Sequence, residues 1–291
     1  MMAVLCAPLR GNRFAFSFAL GALGGRSVAR RLSPLAGMLV FVVFSLFAPS
    51  GARAQGGPPL ITNDPGTPGP NQWEINLAVM PTLVQGEQNY QVPQIDINYG
   101  VGPRIQLTFE VPYVLQTAAG QGLQTGWGNA FPGVKWRFID NKHGWNVSVF
   151  PQVEPPGRAS SVREGIADSG TRFLLPLEIQ RNVGPMELNF EAGYYVPVHG
   201  REERILGFAA GHQVDKKLEL IGEVYNDSAM GAPPHNTTWD LGDRYEFHKG
   251  LIQLFMAGRS FSGAAGEPTF FTYIGIQILL EGNGRHLHAD E

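Results

Sequence analysis

The chain has 291 residues, 43% hydrophobic, with 37 glycines, 22 prolines and a formal net charge of −3. That length allows one large all-β unit or two small domains, and the glycine and proline load favours many turns over long helices. The single cysteine, Cys6, excludes a disulfide framework and a cysteine-type zinc site.

The first 54 residues differ from the rest. They hold six arginines (Arg10, Arg13, Arg26, Arg30, Arg31, Arg53), no acidic residue and Cys6. The run Leu35–Ala48 has the length of a signal-peptide apolar core and falls short of the roughly 20 residues needed to span a bilayer as a helix. Ala52-Arg53-Ala54 supplies an A-x-A cleavage signal, so residues 1–54 read as an export signal cleaved near Ala54. A start at Val28 would give a leader of usual length and would make residues 1–27 a start-site artefact. Without the six arginines, 16 of the 22 basic residues remain against 25 acidic ones, a net of −9. Such an acidic exported chain does not fit a nucleic-acid partner.

Residues 55–71 (QGGPPLITNDPGTPGPN) are too rich in proline and glycine for regular structure. They read as a periplasmic lead-in, although the sequence leaves open that they tuck into a lumen as a plug. From residue 72 a different pattern begins. In QWEINLAV, Trp73, Ile75, Leu77 and Val79 share one parity while Glu74 and Asn76 take the other. A strand turns successive side chains to opposite faces, so this is a ribbon with one apolar and one wet face. The pattern recurs in IDINYG from Ile95, RIQLTFEVPYV from Arg104, VKWRF from Val134, WNVSVFPQVE, FLLPLEIQ, MELNFEAGYYVPV and LELIGEVY. ILGFAAGHQV, TTWDLGDRYEF, GLIQLFMAGR and PTFFTYIGIQILL follow more loosely.

These segments, about twelve in number, fall near 72–84, 90–100, 104–116, 129–139, 145–154, 170–181, 186–198, 204–214, 218–227, 237–247, 251–261 and 268–280, each near the length a tilted strand needs to cross hydrocarbon. Tight turns (GVGPR, DNKHG, NVGP, DKK, HKG) alternate with connections near 85–89, 117–127, 155–169, 199–203, 228–236 and 262–267 that are longer on average. An even strand number places both ends of the barrel on the short-turn side. Aromatic residues sit near strand ends (Trp73, Tyr99, Tyr113, Trp145, Trp239, Tyr273), as interface girdles require. Export signal, uniform strand length and girdles together predict an all-β fold, a transmembrane antiparallel up-and-down β-barrel of about 12 strands over 72–280. Closure removes the unpaired edges that hydrocarbon forbids. The competing architecture is a secreted periplasmic β-sandwich binding protein, with its apolar parity facing a core. Two segments fit badly: Asp243 falls on the lipid-facing parity unless a bulge at Gly242 re-aims it, and ILGFAAGH is small and weakly alternating.

NDPGTPGPNQWEINLA (63–78), YGVGPRIQLTFEVPY (99–113) and GNAFPGVKWRF (128–138) resemble the MetA-pathway of phenol degradation family, outer-membrane barrels described as transporter-like. The resemblance covers residues 60–280 and rests on structural motifs. It implies a bacterial outer-membrane location and a link to uptake of aromatic compounds. Many outer-membrane barrels end on an aromatic residue that the assembly machinery reads. This chain continues as EGNGRHLHADE (281–291), which would make the recognition signal internal, around Phe271 to Ile278.

With the parity fixed, the expected lumen acids are Glu74, Asp96, Glu110, Glu154, Glu178, Glu187, Glu191, Glu219, Glu223, Asp240 and Glu246. The expected lumen bases are Lys135, Arg137, Arg172, Arg244 and Arg259. Lipid-facing Arg or Lys costs roughly 2–4 kcal/mol at the midplane, so inward placement is the cheaper solution. The acid excess suits a wet channel for small solutes that concentrates cations; the same groups would also serve as bracing in a non-conducting structural or surface barrel. The loop 155–170, with Arg158, Arg163, Glu164 and Asp168, is the candidate constriction or lid. His199, His212, His235 and His248 are scattered and no H-x-S-N-G element accompanies them, so the barrel-hydrolase arrangement of serine and base is missing and no enzyme is expected. His286 and His288 lie in the tail and read as no metal site; no cofactor is implied. The expected partners are the lipid bilayer, the outer-membrane assembly machinery and a small solute.

Overall fold

The computed structural model describes residues 57–230, 235–262 and 266–282. The expected export signal, its cleavage site and most of the C-terminal tail, with His286 and His288, lie outside these residues.

Fourteen strands form one antiparallel sheet that closes on itself. They are β1 Trp73–Val84, β2 Glu87–Val101, β3 Ile105–Ala118, β4 Gln124–Trp127, β5 Phe131–Lys142, β6 Trp145–Val149 and β7 Gln152–Glu154 in the first half. The second half is β8 Arg172–Val183, β9 Met186–Pro197, β10 Glu203–Gln213, β11 Leu218–Ala229, β12 His235–His248, β13 Leu251–Ser260 and β14 Pro268–Leu280. Two of the fourteen are extensions of neighbouring ribbons. β4 pairs with the upper part of β3 (Tyr113 opposite Trp127), above the stretch where β3 pairs with β5. β6 and β7 are one ribbon, with the same register against β8 on either side of Phe150-Pro151. The ladder therefore runs through 12 ribbons, and β1 closes it by pairing with both β2 and β14, Trp73 lying opposite Tyr99 and Leu280. Among the described residues a single helical turn, α1 Ala159–Arg163, interrupts the all-β order.

Alternation decides which side each residue takes. Leu107, Trp136, Leu175 and Ile274 are exposed on the outer wall, Trp136 and Leu175 by 53% each, whereas Asn76, Ser148, Glu178, Glu191 and Asp240 are buried within the lumen. This inversion of the usual apolar interior is the physical signature of a barrel whose outer wall meets lipid. Paired aromatic rings mark the wall near the short-turn end, with Trp73 and Tyr99 centroids 4.5 Å apart and Tyr245 and Phe247 5.2 Å apart. Tyr113 and Trp127 meet edge-on, 5.2 Å apart, towards the other end.

The short turns use backbone conformations that only certain residues tolerate. Gly102, Gly144, Gly184 and Gly250 all have positive φ. At the β10–β11 turn, Asp215 accepts the backbone N–H groups of Lys217 (2.7 Å) and Leu218 (3.0 Å), and these bonds hold its carboxyl below the ordinary aspartate range. The expected loop at 85–89 is instead a tight Gln85-Gly86 turn, because β1 and β2 remain paired out to Val84 and Glu87. Gly86 supplies the positive φ it needs.

Two side-chain placements differ from the sequence expectation, and one offered irregularity is absent. Tyr273 does not belong to a girdle: it is buried on the lumen side, with Ile274 and Ile276 outward. Arg259 shares the outward parity of Phe255, and the lumen side of β13 is Leu254, Met256, Gly258 and Ser260. The bulk of Phe255 sets that parity, and Arg259 sits opposite Trp239 near the strand end, where its long side chain reaches past the apolar band. At Gly242 there is no bulge; the β12–β13 register shifts only between Glu246 and His248, so Asp243 stays outward, opposite Leu220 and Phe255.

Candidate functional site: the lumen and the segment inside it

The lead-in does not stay in the periplasm. Residues 57–71 rise inside the barrel, where Thr62 is fully buried and Leu60, Asp64, Pro59 and Pro65 are nearly so. A Pro/Gly-rich segment cannot satisfy its own backbone by helix or ladder, so a buried path needs external partners. The barrel wall provides them. Glu223 on β11 accepts the N–H groups of Ile61 (2.6 Å) and Thr62 (2.7 Å). Glu191 on β9 accepts the backbone N–H of Asn63 (3.0 Å) and its side-chain amide (3.3 Å). From the donor side, Lys135 on β5 reaches the carbonyl of Asp64 (2.5 Å), and Arg244 on β12 reaches those of Pro58 (3.0 Å) and Gly57 (2.7 Å). Charge-assisted bonds of this kind are the strong members of their class.

Room for the segment is made by β10. Its inward positions are Gly207, Ala209 and Gly211, and Leu60 packs against Ala209 and Ile221. A Cβ at Gly207 would lie 2.3 Å from Thr62 Oγ1. The weak alternation of ILGFAAGH is thus the imprint of the segment it faces. Lower down, Asn71 and Gln72 exchange backbone bonds with Gly100 (2.9 and 3.0 Å), leading the segment into β1. A Cβ at Gly100 would fall 1.8 Å from the carbonyl oxygen of Gly69, so glycine is required there.

The other expected lumen residues fall into three groups. Glu178 is 0% exposed and faces Lys135 at 3.4 Å, with Ser148 donating to its carboxylate. Arg244 also pairs with Glu219 at 3.3 Å. Towards the long-loop end, Arg172 bonds Glu154, lies 3.6 Å from Glu203 and stacks 4.3 Å over the Tyr195 ring. Glu187 is buried beside Asn189, while Asp240 is buried opposite Glu223 on the ladder. The third group lines β1 to β3. Asn76 donates to Glu74 (3.0 Å) and Asp96 (2.9 Å), Asn98 donates to Asp96 (3.1 Å), and Gln94 donates to Glu110. Gln106 and Thr108 extend the network by donating to Asn98 at 2.7 and 2.6 Å.

Arg137 and Glu246 sit at the margin of this interior. Arg137 donates to the carbonyl of Pro103 (2.8 Å) in a short turn and lies 3.5 Å from Asp140. Glu246 is only partly buried, near the short turn at Gly250. The 155–170 loop is braced by Asn129, which donates to the carbonyls of Pro155 (2.9 Å) and Asp168 (3.1 Å) and accepts the Asp168 N–H (2.7 Å). Its Arg158, Arg163 and Glu164 are exposed, while Ser161 is buried.

Beside that segment, between it and the wall of β1 to β3, a cavity of about 260 Å³ remains, lined along one side by residues 57–61, 63, 64, 66 and 67. Polar and charged groups of β1 to β3 form one side, and Tyr195, Tyr225, Tyr273, Met80 and Met256 contribute an apolar and aromatic surface that parity counting of charges did not reveal. Among the described residues no group of His, Cys, Asp or Glu is arranged to hold a metal ion.

Together these features define a 12-ribbon outer-membrane-type barrel with a charged lumen and a folded-in N-terminal segment. Comparison with solved structures agrees on the fold. The chain is similar to the COG4313 outer membrane channel from Pseudomonas putida F1, at 11% identity and a TM-score of 0.54, over 72% of this chain and 94% of that one. It is also similar to the KdgM porin (10% identity, TM-score 0.50, 70% of this chain and 98% of that one) and to the NanC porin (7%, 0.51, 70% and 98%). No family model and no curated protein sequence matches the chain.

Proposed function

We propose that the chain is a channel of the bacterial outer membrane, exported and cleaved near Ala54, through which small solutes, aromatic compounds among them, diffuse passively. Its partners in this reading are the lipid bilayer, the assembly machinery that inserts it and the solute itself; it is not an enzyme. The observation that carries the reading is the residual cavity, enclosed by a closed barrel and lined by both charge and aromatic rings. A barrel kept only for bracing would gain from filling that space, since interiors are otherwise close-packed. Similarity in fold to structures described as porins and channels agrees with it, and the resemblance of residues 60–280 to the MetA-pathway family supports aromatic cargo.

Acid outnumbers base along the lumen, and a confined low-dielectric channel of one sign raises the local concentration of the opposite ion. Cations and neutral solutes should therefore pass more readily than anions. A second reading, a non-conducting structural or surface barrel, is favoured by the segment 57–66 lying across the lumen. Liposome swelling with the refolded protein separates the two. Entry of small neutral and cationic solutes ahead of anionic ones of equal size is expected, and vesicles that stay closed to all of them would establish the structural barrel.

A further inference from the structure

We infer that the cavity beside the lumen segment is a binding site for a small organic monocation, an ammonium group carried on an apolar or aromatic body. As a statement about the transported solute this rests on the channel reading; as a statement about binding it does not.

Two unlike surfaces meet in the cavity. One carries the carboxylates of Glu74, Asp96 and Glu110, and the other presents Met80, Met256 and the ring of Tyr273. Across the same space Lys135 is the lining base among the described residues, and it is already engaged by Glu178 and by the Asp64 carbonyl. The three carboxylates are held by neutral donors instead. Asn76 serves Glu74 and Asp96, Asn98 serves Asp96, and the amide of Gln94 serves Glu110. Neutral amides orient a carboxylate without cancelling its charge, so this wall is preorganised and none of its three carboxylates is in contact with a cationic side chain. Gln94 is a second, independent pointer. It lines the cavity, is 5% exposed, and its Oε1 has no hydrogen-bond partner. A buried acceptor left unpaired is costly, and beside Glu110 it completes a set of acceptors that lacks only a donor.

The ligand chemistry follows from what this arrangement lacks. A group with several N–H donors and a positive charge satisfies Gln94 and the Glu110 and Asp96 carboxylates together, through charge-assisted bonds. A hydrated inorganic cation would leave the thioether and tyrosine surface unused. An ammonium with an aromatic body covers it, and the tyrosine ring face favours nearby positive charge. An anion meets the carboxylates unscreened, and a neutral alcohol offers one donor where several acceptors wait.

The test is calorimetric titration of the refolded, detergent-held protein with three probes of one shape: 2-phenylethylammonium, 2-phenylethanol and phenylacetate. Saturable binding of the ammonium is expected, about tenfold or more tighter than the alcohol, the difference one charge-assisted bond supplies over a neutral one. Phenylacetate should not bind. Glu110→Gln and Asp96→Asn, each shown to be folded by its shift in gel mobility on heating, should each weaken the ammonium by about tenfold. Asp243→Asn, on the outer wall, should not. Equal binding of the three probes, or ammonium binding unchanged in both lumen variants, would overturn the site. Selective binding in a barrel that passes no solute would uphold the site while removing the channel reading, and solute passage with equal binding of all three probes would do the reverse.

Discussion

The two sides of the barrel interior spend the same residue types differently. From β5 round to β12, Lys135, Glu191, Glu223 and Arg244 direct their polar atoms onto the backbone of residues 57–64. On β1 to β3, Glu74, Asp96 and Glu110 are held by neutral side-chain amides and face open space. The first side replaces the ladder that a Pro/Gly-rich segment cannot make for itself. The second leaves its charge available to a solute. An inward carboxylate in such a barrel is therefore neither bracing nor lining by its identity; the donor whose hydrogen bond it accepts decides.

Substitutions on the two sides should separate these roles. The largest effect is expected from Gly207→Val, which puts side-chain atoms where Thr62 Oγ1 now lies. Expulsion of Leu60–Thr62 from the lumen should raise single-channel conductance severalfold while the outer wall stays intact. Lys135→Met comes next. It strands Glu178 in the interior without its cation, a change that typically costs about 3–5 kcal/mol, to be read by denaturant titration in lipid vesicles. Glu223→Ala removes the acceptor of two buried amides, each worth about 1–3 kcal/mol when left unpaired. Hydrogen exchange at Ile61 and Thr62 should accelerate, with the strand amides of β9 and β10 unchanged. A smaller gain is expected from Asp243→Leu, which takes a carboxylate off the lipid-facing wall and should stabilise the barrel by about 1 kcal/mol. At the low end, Glu110→Gln on the open side should alter stability by no more than about 0.5 kcal/mol, since glutamine keeps the contact with Gln94. Its effect should appear in ion preference.

The strands were legible because each one alternates. Trp73 to Val79 or Ile105 to Tyr113 state their faces residue by residue, and tight turns such as Gly102-Pro103 locate their ends. Parity failed where the alternation is weak. In β13 and β14, Phe255 and Ile274 decide the outward face, and Arg259 and Tyr273 follow from them against the expectation that charge goes inward and tyrosine goes to the girdle. The lumen segment was not legible as such. Its own sequence has no period, and its partners are scattered over β5, β9, β11 and β12, so no local window contains the interaction. The one readable trace was the run Gly207, Ala209, Gly211, small inward residues in a strand that otherwise had no reason to be small. Likewise the acids of β1 to β3 could be assigned to the lumen, while their division from the acids that hold the segment required the fold.

The most direct measurement is planar-bilayer conductance of refolded residues 55–291 with a salt gradient across the membrane. Discrete conductance steps with a reversal potential on the cation side are predicted, shifting towards zero in Glu110→Gln. Insertion without conductance, or a reversal potential on the anion side, would contradict an open passage lined by an excess of carboxylates.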